Sequence, residues 1–582
     1  MNNSVFGISE SVSGRSWRWR GGRATETGHD LVRQLFLARG AHADSIERLR
    51  APTIRDLLPD PSIFLGMDVA ARRTADAILK GERIVIFGDY DVDGATSAAL
   101  LIRHIKACGG TVGHYIPDRL LEGYGPSASA LSALKESGAD LVICVDCGTQ
   151  GFAALEAAEA CGLEVIVVDH HKASTALPPA IAIVNPNRMD ECVEAAAYGH
   201  LAAVGMAFLL AVAVSRDLRG RGHFKAQAEP NLMGLLDLVA LGTVADVVPL
   251  TGLNRAFVAQ GLKIMAARGN RGLAALTAAA GLERSPGAGD LGFALGPRIN
   301  AGGRVGRADL GVRLLTSEGD EECTGLAEEL NRLNQERRAI EADVTEGALA
   351  AADRAGNMPV VVVSGAGWHP GVIGIAASRL KDRLGRPAIV IGTDEQGVGK
   401  GSGRSIAGVD LGGAILSAKE HGLISAGGGH AMAAGLTVQA DGVERLADFL
   451  CERLAKQVAQ AEGERSLDLD LALAPGGVTP DLAEELEAAA PYGAGWPAPR
   501  IAAGPVTVVD CGVVGSGHVR AVLAGADGRR MKAIAFRAED TPLGAAILTA
   551  AGRRLYVAGR VKRDDWNATP RAELHLEDAA WA

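Results

Sequence analysis

The sequence predicts a multidomain α/β protein with a parallel-sheet domain, a long connecting helix, a second smaller α/β domain and a C-terminal β-barrel. Short apolar runs rich in Val and Ile alternate with Ala-rich helical stretches, and these runs are "RIVIF" (83–87), "LVICV" (141–145) and "EVIVV" (164–168). This alternation is typical of βαβ units with a buried parallel sheet. The end of the chain carries short alternating runs between Gly-rich turns, such as "GHVRAVLAG" (517–525), which indicate a small β-barrel.

The domains follow one another along the chain. Residues 1–55 are polar and helical at best, and we interpret them as an N-terminal extension. The first α/β domain is expected over residues 56–317, with mostly helices after about residue 200 and a turn-rich break at "LGPRINAGGRVGRADLG". A helical stripe of apolar residues at 326, 330, 333, 340 and 344 predicts a connecting helix over 318–356. A strand and helix pattern restarts at "MPVVVVSG", so the second α/β domain is expected over 357–462 and the barrel over 463–582.

Composition limits the class of protein. The chain has 582 residues, of which 48% are hydrophobic and 22% charged, and its formal net charge is −10. A nucleic-acid site must therefore be a local basic channel rather than a generally basic surface. No run approaches the roughly 18 apolar residues of a membrane span, and the first residues lack the apolar core of a signal peptide, so a cytoplasmic protein is expected. The eight cysteines form no disulfide framework, and the close pair Cys144 and Cys147 lacks a second pair at zinc spacing.

Acidic residues follow each predicted strand of the first sheet. The loop "GDYDVDG" (88–94) places Asp89, Asp91 and Asp93 at alternate positions, Asp146 follows the second strand, and "DHH" (169–171) follows the third. Ligands of open parallel sheets bind beyond the carboxyl ends of the strands, where these side chains converge. Mixed carboxylate and imidazole ligands suit Mn²⁺ or Mg²⁺. Two such ions about 3.5–4 Å apart can activate water and neutralise a phosphate during in-line displacement.

Simpler interpretations exist for each residue alone. A calcium loop of the EF-hand type requires a Glu six residues after Gly94, where Leu100 stands. An isolated Asp146 would more often be a cap or turn residue, and a single histidine would more often be structural. The coincidence of three strand ends with the same chemistry favours a metal site.

A series of motifs in fixed order resembles the DHH phosphoesterase superfamily, and within it the bacterial single-strand-specific exonucleases. The resemblance runs from about residue 60 to the C-terminus. It rests on "GDYDVDG" (88–94), "VDCG" (145–148), "VDHH" (168–171), "YIPDRLLEGYG" (115–125), "LDLVALGTVADVVPL" (236–250), "LGPRINAGGR" (295–304), "GWHPGVIGIAASRL" (367–380), "GSGRS" (401–405), "GGGHAMAAG" (427–435) and "PYGAGWPAP" (491–499).

This resemblance implies a role for each residue of the acidic loops. The implied ligands of two divalent ions, Mn²⁺ or Mg²⁺, are Asp91, Asp93, Asp146, His170 and Asp246, with Asp146 bridging. Asp89 and Asp169 would support these ligands, and His171 would face the scissile phosphate as a contact or as the acid near the leaving oxygen. Asp237 is a less favoured ligand, because a buried or capping acid is the plainer explanation.

The resemblance also implies substrate contacts. In the family the "SxR" segment binds a 5′ phosphate, so Ser402 and Arg404, with Arg119 and Arg298, are expected to hold the strand end. "VGKGSGRS" is not a P-loop, because Gly401 follows Lys400 where Ser or Thr is required. The Gly427 to Gly429 run and His430 belong to the DHH-associated domain, where they could approach a phosphate or form a plain turn. Tyr124 could stack on a base or pack in its turn.

The terminal region is implied to be an OB-fold that binds single strands. Its candidates for backbone contacts are His518, Arg520, Lys532 and Arg537. Two residues depart from the family pattern. Phe87 stands where some members carry a histidine ligand, which implies a missing or looser ligand, and Trp496 replaces a common Asn and could offer a stacking face.

The implied function is a metal-dependent 5′-to-3′ exonuclease that degrades single-stranded DNA to mononucleotides in recombination and repair. Polarity and the preference for DNA come from the family alone. A small-substrate phosphodiesterase of the superfamily and a non-catalytic single-stranded-DNA-binding scaffold are the alternatives. The resemblance further suggests contact with single-stranded-DNA-binding protein and with a helicase.

Overall fold

The computed structural model describes residues 3–22, 30–119, 121–463, 465–564 and 571–582. Contacts divide the chain into two compact units. Unit 1 contains Met1–Thr53, Gly463–Tyr492 and Trp496–Ala582, and unit 2 contains Ile54–Glu462 and Gly493–Gly495. Among the described residues, every helix is too short or too polar to cross a membrane.

A five-stranded parallel sheet forms the centre of the first part of unit 2. The strand order is β3-β2-β4-β5-β6, and every neighbouring pair is parallel. Its elements are α3 (Ile54–Leu57), α4 (Met67–Lys80), β2 (Arg83–Gly88), α5 (Val92–Ala107), β3 (Thr111–Tyr115), α6 (Ala128–Glu136), β4 (Leu141–Val145), α7 (Phe152–Ala160), β5 (Glu164–Val168), β6 (Ala182–Val184) and α8 (Val193–Ala196), after β1 (Ser16–Trp19), α1 (Leu31–Ala38) and α2 (Ile46–Arg50) of unit 1. The parallel sheet predicted from the apolar runs is confirmed.

Helices follow the sheet in the chain. They are α9 (Ala203–Gly220), α10 (Leu236–Ala245), α11 (Gly252–Ala266), α12 (Arg271–Ala279), α13 (Ala288–Asp290), α14 (Gly296–Val305), α15 (Leu310–Thr316) and the long α16 (Asp320–Ala355). The predicted long connecting helix is therefore confirmed as α16. The turn-rich break predicted at residues 295–311 is wrong, because most of that segment is α14. Its glycines serve close packing instead: a Cβ on residue 303 would lie 3.0 Å from the carbonyl oxygen of Tyr90.

A second, mixed sheet forms the rest of unit 2. Its order is β10-β11-β9-β8-β7, in which only β7 and β8 are parallel. The elements are β7 (Val361–Ala366), α17 (Pro370–Leu384), β8 (Ala388–Thr393), β9 (Val398–Arg404), α18 (Leu411–Glu420), β10 (Ala426–His430), β11 (Ala433–Gln439) and α19 (Val443–Gly463). The segment that resembled a P-loop is strand β9.

Unit 1 contains a closed barrel. Strands β14, β15, β16, β18 and β17 pair in that order, and β17 pairs back with β14. The predicted C-terminal barrel is confirmed. The exact domain boundaries given in the sequence analysis remain predictions. The elements are β12 (Ser466–Leu469), β13 (Leu471–Leu473), α20 (Pro480–Glu487), β14 (Ile501–Val514), β15 (His518–Ala524), β16 (Arg530–Ala535), α21 (Pro542–Leu548), β17 (Arg554–Asp564) and β18 (Arg571–Trp581).

Two tryptophan side chains of unit 1 are buried. Strand β1, which the sequence analysis does not predict, pairs in parallel with β12, and Trp17 is fully buried with its Nε1 donating to Asp578 Oδ2 at 3.0 Å. Trp496 is also buried, stacks on Phe36 with ring centroids 5.1 Å apart, and donates its Nε1 to the carbonyl of Ala489. Trp496 therefore offers no stacking face to a nucleic acid, contrary to the suggestion from sequence.

The buried His104 predicts a dependence of stability on pH. Its Nε2 lies 2.8 Å from Ser215 Oγ, its Nδ1 has no partner among the described residues, and burial lowers its pKa to about 4. The unfolded chain, with a histidine pKa of about 6.5, binds this proton first as the pH falls, so stability is lost between those two values. At pH 5 the loss is about 2 kcal/mol.

We expect His104→Gln to reduce this loss. Urea unfolding of both proteins at pH 7.5 and pH 5 measures it, and His421→Gln, at the residue after α18, is the control substitution. An equal drop in the free energy of unfolding for the wild type and His104→Gln would contradict the prediction.

Candidate metal centre and anion pocket

The loop between β2 and α5 presents its carboxylates through a tight turn into the helix. Asp91 is the N-cap of α5, and its Oδ1 accepts a hydrogen bond from the Gly94 N–H at 3.1 Å. A Cβ on residue 94 would lie 2.4 Å from the Asp89 carbonyl oxygen, so only glycine allows this turn. The turn therefore holds Asp89 and Asp91 next to each other at the sheet edge.

Asp93 lies in the first turn of α5 and is buried. Its carboxylate accepts hydrogen bonds from the N–H groups of Ala203 and Val204, at 2.7 and 2.9 Å. These N–H groups belong to the first turn of α9, where unpaired donors and the helix dipole favour an anion. Two segments 110 residues apart in the chain are thus joined at this carboxylate.

Asp146 directly follows β4 and adopts a positive φ of 61°. This backbone conformation is uncommon for a residue other than glycine and occurs often at functional sites. The carboxylate is buried, and its Oδ1 lies 3.3 Å from His170 Nε2 and 3.9 Å from His171 Nδ1. Asp146 is therefore the common neighbour of the side chains that follow β4 and β5.

His170 is held in one orientation by the protein backbone. Its Nδ1 lies 3.0 Å from the Leu201 carbonyl oxygen, to which it donates, and this leaves Nε2 as the acceptor nitrogen. Nε2 faces Asp146, Asp246 Oδ2 at 3.7 Å and Asp93 Oδ2 at 4.0 Å. Burial and the neighbouring His171 lower the pKa of His170, which favours the neutral form that binds metals.

Three overlapping groups of ligand atoms result, each with atoms within 4.8 Å of one another: Asp89, Asp91 and Asp146; Asp146, His170 and His171; and Asp93, His170 and Asp246. Three of these atoms are buried without a hydrogen-bond partner among the described residues, namely Asp89 Oδ1, His170 Nε2 and Asp246 Oδ2. Buried polar atoms normally have partners. The donor set and its unpaired atoms fit divalent cations of the Mn²⁺ and Mg²⁺ class.

Without a bound cation, the carboxylates of this site repel each other. Burial and the charges of neighbouring aspartates raise the pKa of Asp93 to about 7 and that of Asp246 to about 9. The same causes raise the pKa values of Asp89 and Asp146 well above the usual range. Cations at this place would remove the repulsion and keep the groups ionised.

Asp169, His171 and Tyr124 form a hydrogen-bonded group beside the acids. Asp169 accepts from the N–H groups of Thr149, His170 and His171 and lies 2.8 Å from His171 Nδ1. Burial alone would raise the pKa of Asp169, but the hydrogen bonds and charge of His171 outweigh it and lower that pKa. Tyr124 is 52% exposed, yet its hydroxyl donates to the Asp146 carbonyl at 2.9 Å and lies 3.1 Å from His171 Nδ1.

We expect Asp169→Asn to lower the turnover rate by roughly 10- to 100-fold. Asp169 Oδ1 accepts from His171 Nδ1 and Oδ2 accepts from the Thr149 N–H, so the amide NH2 of an asparagine would put a donor in the place of one of these acceptors. In either orientation His171 loses the negative charge that holds its imidazole. Steady-state kinetics on single-stranded DNA, the substrate that the family resemblance implies, should show the loss in kcat rather than in KM. Asp190→Asn, an exposed acid paired with Arg188, is the control. A loss confined to KM would contradict a positioning role.

Two further predictions about the acidic region concern Asp237 and Phe87. Asp237 is buried at the start of α10, its Oδ1 accepts from the Leu238 N–H, and it belongs to none of the three ligand groups. Phe87 is fully buried in the core on one face of the sheet and stacks on Tyr115, with ring centroids 5.2 Å apart. A phenyl ring has no atom that binds a metal ion. Phe87 therefore cannot take the place of the histidine ligand that some family members carry at this position.

A second site is a cavity of about 390 Å³ in unit 2 with four basic side chains in its wall. None of the described residues that line it carries a carboxylate. The lining includes Pro370, Gly371, Ile373 and Gly374 at the N-terminus of α17, whose dipole also favours anions. The basic residues are Arg119, Arg304, Lys400 and Arg404.

The "SxR" side chains are joined within this cavity. Arg404 Nη1 donates to Ser402 Oγ at 3.0 Å and to the Gly403 carbonyl at 2.8 Å. Burial and nearby Arg119 lower the pKa of Arg404, and burial with three other arginines lowers that of Arg304 to about 10. Crowded cations without carboxylates are a site for a strongly charged anion.

The structure does not bring all predicted phosphate contacts to the cavity. Arg298 lies outside its lining and donates to the Ala294 carbonyl and to Asn331 Oδ1. His430 is exposed at the end of β10 and is not in the lining either. Arg304 and Lys400 are lining residues that the sequence analysis missed.

Comparisons with known proteins match each of the three parts in turn. Residues 83–243 match the model of the DHH family, N-terminal domain, residues 357–456 that of the DHHA1 domain, and residues 469–578 that of the RecJ OB domain. The single-stranded-DNA-specific exonuclease RecJ of Bacillus subtilis is 34% identical over 555 residues, which cover 94% of this chain and 68% of that protein. The chain belongs to the RecJ family. The RecJ of Escherichia coli is 37% identical, with 85% of this chain and 86% of that protein covered.

Solved RecJ structures agree with the fold. The RecJ of Thermus thermophilus in complex with Mn²⁺ superposes with a TM-score of 0.77 at 28% identity, covering 96% of this chain and 78% of that one. An exonuclease RecJ bound to manganese gives a TM-score of 0.58 at 34% identity, covering 68% of this chain and 97% of that one. The resemblance to the DHH superfamily inferred from the motifs is therefore confirmed.

Proposed function

We propose that this protein is a metal-dependent exonuclease that degrades single-stranded DNA from the 5′ end to mononucleotides, and that it acts in recombination and repair. The observation that carries the proposal is the convergence of five aspartates and two histidines at one sheet edge, with three buried ligand atoms left unpaired among the described residues. RecJ relatives named as single-stranded-DNA-specific exonucleases support the same activity.

The residues that would hold two divalent cations, Mn²⁺ or Mg²⁺, are Asp91, Asp93, Asp146, His170 and Asp246. Asp89, expected from the resemblance to support these ligands, is a further candidate ligand, and the approach of its carboxylate to those of Asp91 and Asp146 within 4.8 Å supports that role. The cations would supply activation of water and neutralisation of the phosphate charge in an in-line displacement.

The protein's own groups orient and donate. His171 has a side chain 42% exposed next to Asp146, so it can contact the scissile phosphate and give a proton to the leaving oxygen. Burial alone would lower the pKa of His171, but Asp169 and the other carboxylates outweigh it and raise that pKa, which favours the protonated donor. The Tyr124 hydroxyl restrains the same imidazole, which makes positioning of His171 a better role for it than base stacking.

The basic cavity would hold the 5′ phosphate. Ser402, Arg404, Arg119 and Arg304 supply charge-assisted hydrogen bonds to a terminal dianion, whereas an internal phosphodiester carries one charge only. Preference for the dianion would start hydrolysis at the 5′ end. We also propose, from the family resemblance, a cytoplasmic location and contacts with single-stranded-DNA-binding protein and a helicase.

The test is incubation with single-stranded DNA labelled at either end, in Mn²⁺, in Mg²⁺ and with EDTA. We expect labelled mononucleotides to appear first from the strand with the 5′ label. EDTA should stop their release, because it removes the divalent cations that the acidic ligand set would bind. Release of mononucleotides first from the 3′ label would contradict the polarity. Dinucleotides as the only good substrates would support a small-substrate phosphodiesterase, and binding without hydrolysis would support a scaffold.

A further inference from the structure

The outer surface of the barrel in unit 1 carries a large exposed aromatic side chain between two imidazoles. Phe536, the residue after β16, is 53% exposed. Its ring contacts His518 edge-on, with centroids 5.2 Å apart, and His575 in the same manner at 4.9 Å. These three residues, His518, Phe536 and His575, form a continuous aromatic strip.

The strand register extends this strip across four strands. Arg520 of β15 lies opposite Ile534 of β16, Ile534 opposite His575 of β18, and His575 opposite Arg560 of β17. A row of side chains therefore runs from one arginine to another with apolar and aromatic groups between them. In the next row, Lys532 and Lys562 both lie opposite Glu573, so two further basic side chains lie on one side of the row that joins the arginines, with an acid between them.

The acids near the strip leave it accessible to phosphates. Arg520 pairs with Asp510 at 3.5 Å, with both side chains more than half exposed, and Arg560 pairs with Glu577 at 2.7 Å. Lys562 approaches Glu487 at 3.7 Å, and His575 approaches Glu573 at 3.7 Å. The exposed Arg520–Asp510 pair contributes only about 0–1 kcal/mol, so a phosphate group can replace the carboxylate as the partner of Arg520. Glu577 is 27% exposed and also pairs with Arg500 at 2.6 Å, so it stays beside Arg560 when that arginine approaches a phosphate.

The position of the strip in the fold favours nucleic acid over other ligands. Counting from β14, His518 begins the second strand of the barrel directly after the loop between the first and second strands, Phe536 directly follows the third strand, and His575 belongs to the fifth. OB-folds bind oligonucleotides on the face of strands 2 and 3 and at that loop. Exposed aromatic rings flanked by cations are the usual means of binding single strands without sequence preference.

We propose that Phe536, supported by His518 and His575, is a base-stacking platform for single-stranded DNA, and that Arg520 and Arg560 hold the flanking phosphates. This inference rests on the proposed function and adds the residues through which unit 1 binds the strand. Every base offers a π-face, so the platform accepts any sequence. The two imidazoles contact the phenyl ring, and 53% of the Phe536 surface is still exposed to solvent.

The test is equilibrium binding of the full chain to a fluorescein-labelled 30-nucleotide oligo-dT, measured by fluorescence anisotropy. EDTA is present so that no hydrolysis occurs. We expect Phe536→Ala to weaken binding roughly tenfold, as loss of one base stack does, and Phe536→Trp to restore it. Val509→Ala removes an exposed side chain of β14, 46% exposed, and should change binding by less than about twofold. Because Phe536 is exposed, its substitution leaves the core intact, which a thermal melt checks.

A second measurement tests the phosphate contacts. The dependence of binding on salt should weaken in Arg520→Gln, with the slope of log K against log salt falling by about 0.7. Equal binding of Phe536→Ala and wild type would overturn the platform, as would a Phe536→Trp variant as weak as Phe536→Ala. If the wild type instead neither binds oligo-dT nor releases nucleotides with Mn²⁺, the proposed function itself fails, and the two failures are distinguished.

Discussion

Substitution of Asp146 by alanine is expected to lower the release of mononucleotides by roughly a thousandfold or more, because Asp146 would help to hold the cations that supply several kcal/mol of charge stabilisation. Asp146 belongs to two of the three ligand groups, whereas Asp89, Asp91, Asp93 and Asp246 each belong to one. Its loss therefore affects both proposed ions. Single-turnover hydrolysis of end-labelled single-stranded DNA in Mn²⁺ measures the effect.

The control for this experiment is Asp237→Asn. Asp237 is also a buried aspartate of unit 2, with a pKa raised by burial to about 6, but it lies outside the ligand groups. Calorimetric titration with Mn²⁺ should show fewer bound ions for Asp146→Ala and unchanged stoichiometry for Asp237→Asn. An Asp146→Ala variant that hydrolyses within tenfold of the wild type would rule out a two-metal mechanism at this site.

The sheet and the acidic edge could be predicted from sequence because the information is local. Each central strand is a continuous apolar run, and an acid follows each run within a few residues. Topology then requires only that parallel strands end on the same side. The position of Asp246 is different: nothing near it in the chain shows that α10 brings it to His170, and only the family resemblance suggested it.

The roles of Tyr124 and Trp496 could not be settled from sequence. Both side chains can stack on a base or pack within the protein, and the choice depends on partners far away in the chain. Tyr124 bonds the Asp146 carbonyl, 22 residues later. Trp496 packs on Phe36, which lies in the segment that the sequence analysis interprets as a polar N-terminal extension.

Arg304 shows a second reason why the sequence alone does not predict every residue of the site. The glycines around it indicate a turn, yet they allow helix α14 to lie against the Tyr90 backbone. Arg304 thereby lies half-buried in the wall of the basic cavity, where its Nη1 donates to the Gly371 carbonyl at 2.7 Å. A residue so placed has no local signature, because the cavity joins segments that lie far apart in the chain.

Replacing Arg404 with glutamine should remove the preference for a phosphorylated 5′ end. The Arg404 guanidinium lies in a cavity that contains three other cations and no carboxylate among the described lining residues. Loss of one or two charge-assisted hydrogen bonds should lower kcat/KM for a 5′-phosphorylated strand by roughly 10- to 100-fold. A strand with a 5′ hydroxyl lacks the dianion, so its kcat/KM should change little. The ratio of the two values is the measured quantity.

Two further variants separate geometry from charge. Arg404→Lys keeps the charge but loses the fork that bonds Ser402 and a phosphate together, so it should restore only part of the ratio. Arg445→Gln removes an exposed arginine of α19 in the same domain, outside the cavity lining, and should leave both substrates unaffected. If Arg404→Gln slowed both strands equally, the cavity would act on the whole backbone rather than on the terminus. The 5′ polarity would then require a cause other than the proposed binding of a terminal dianion in this cavity.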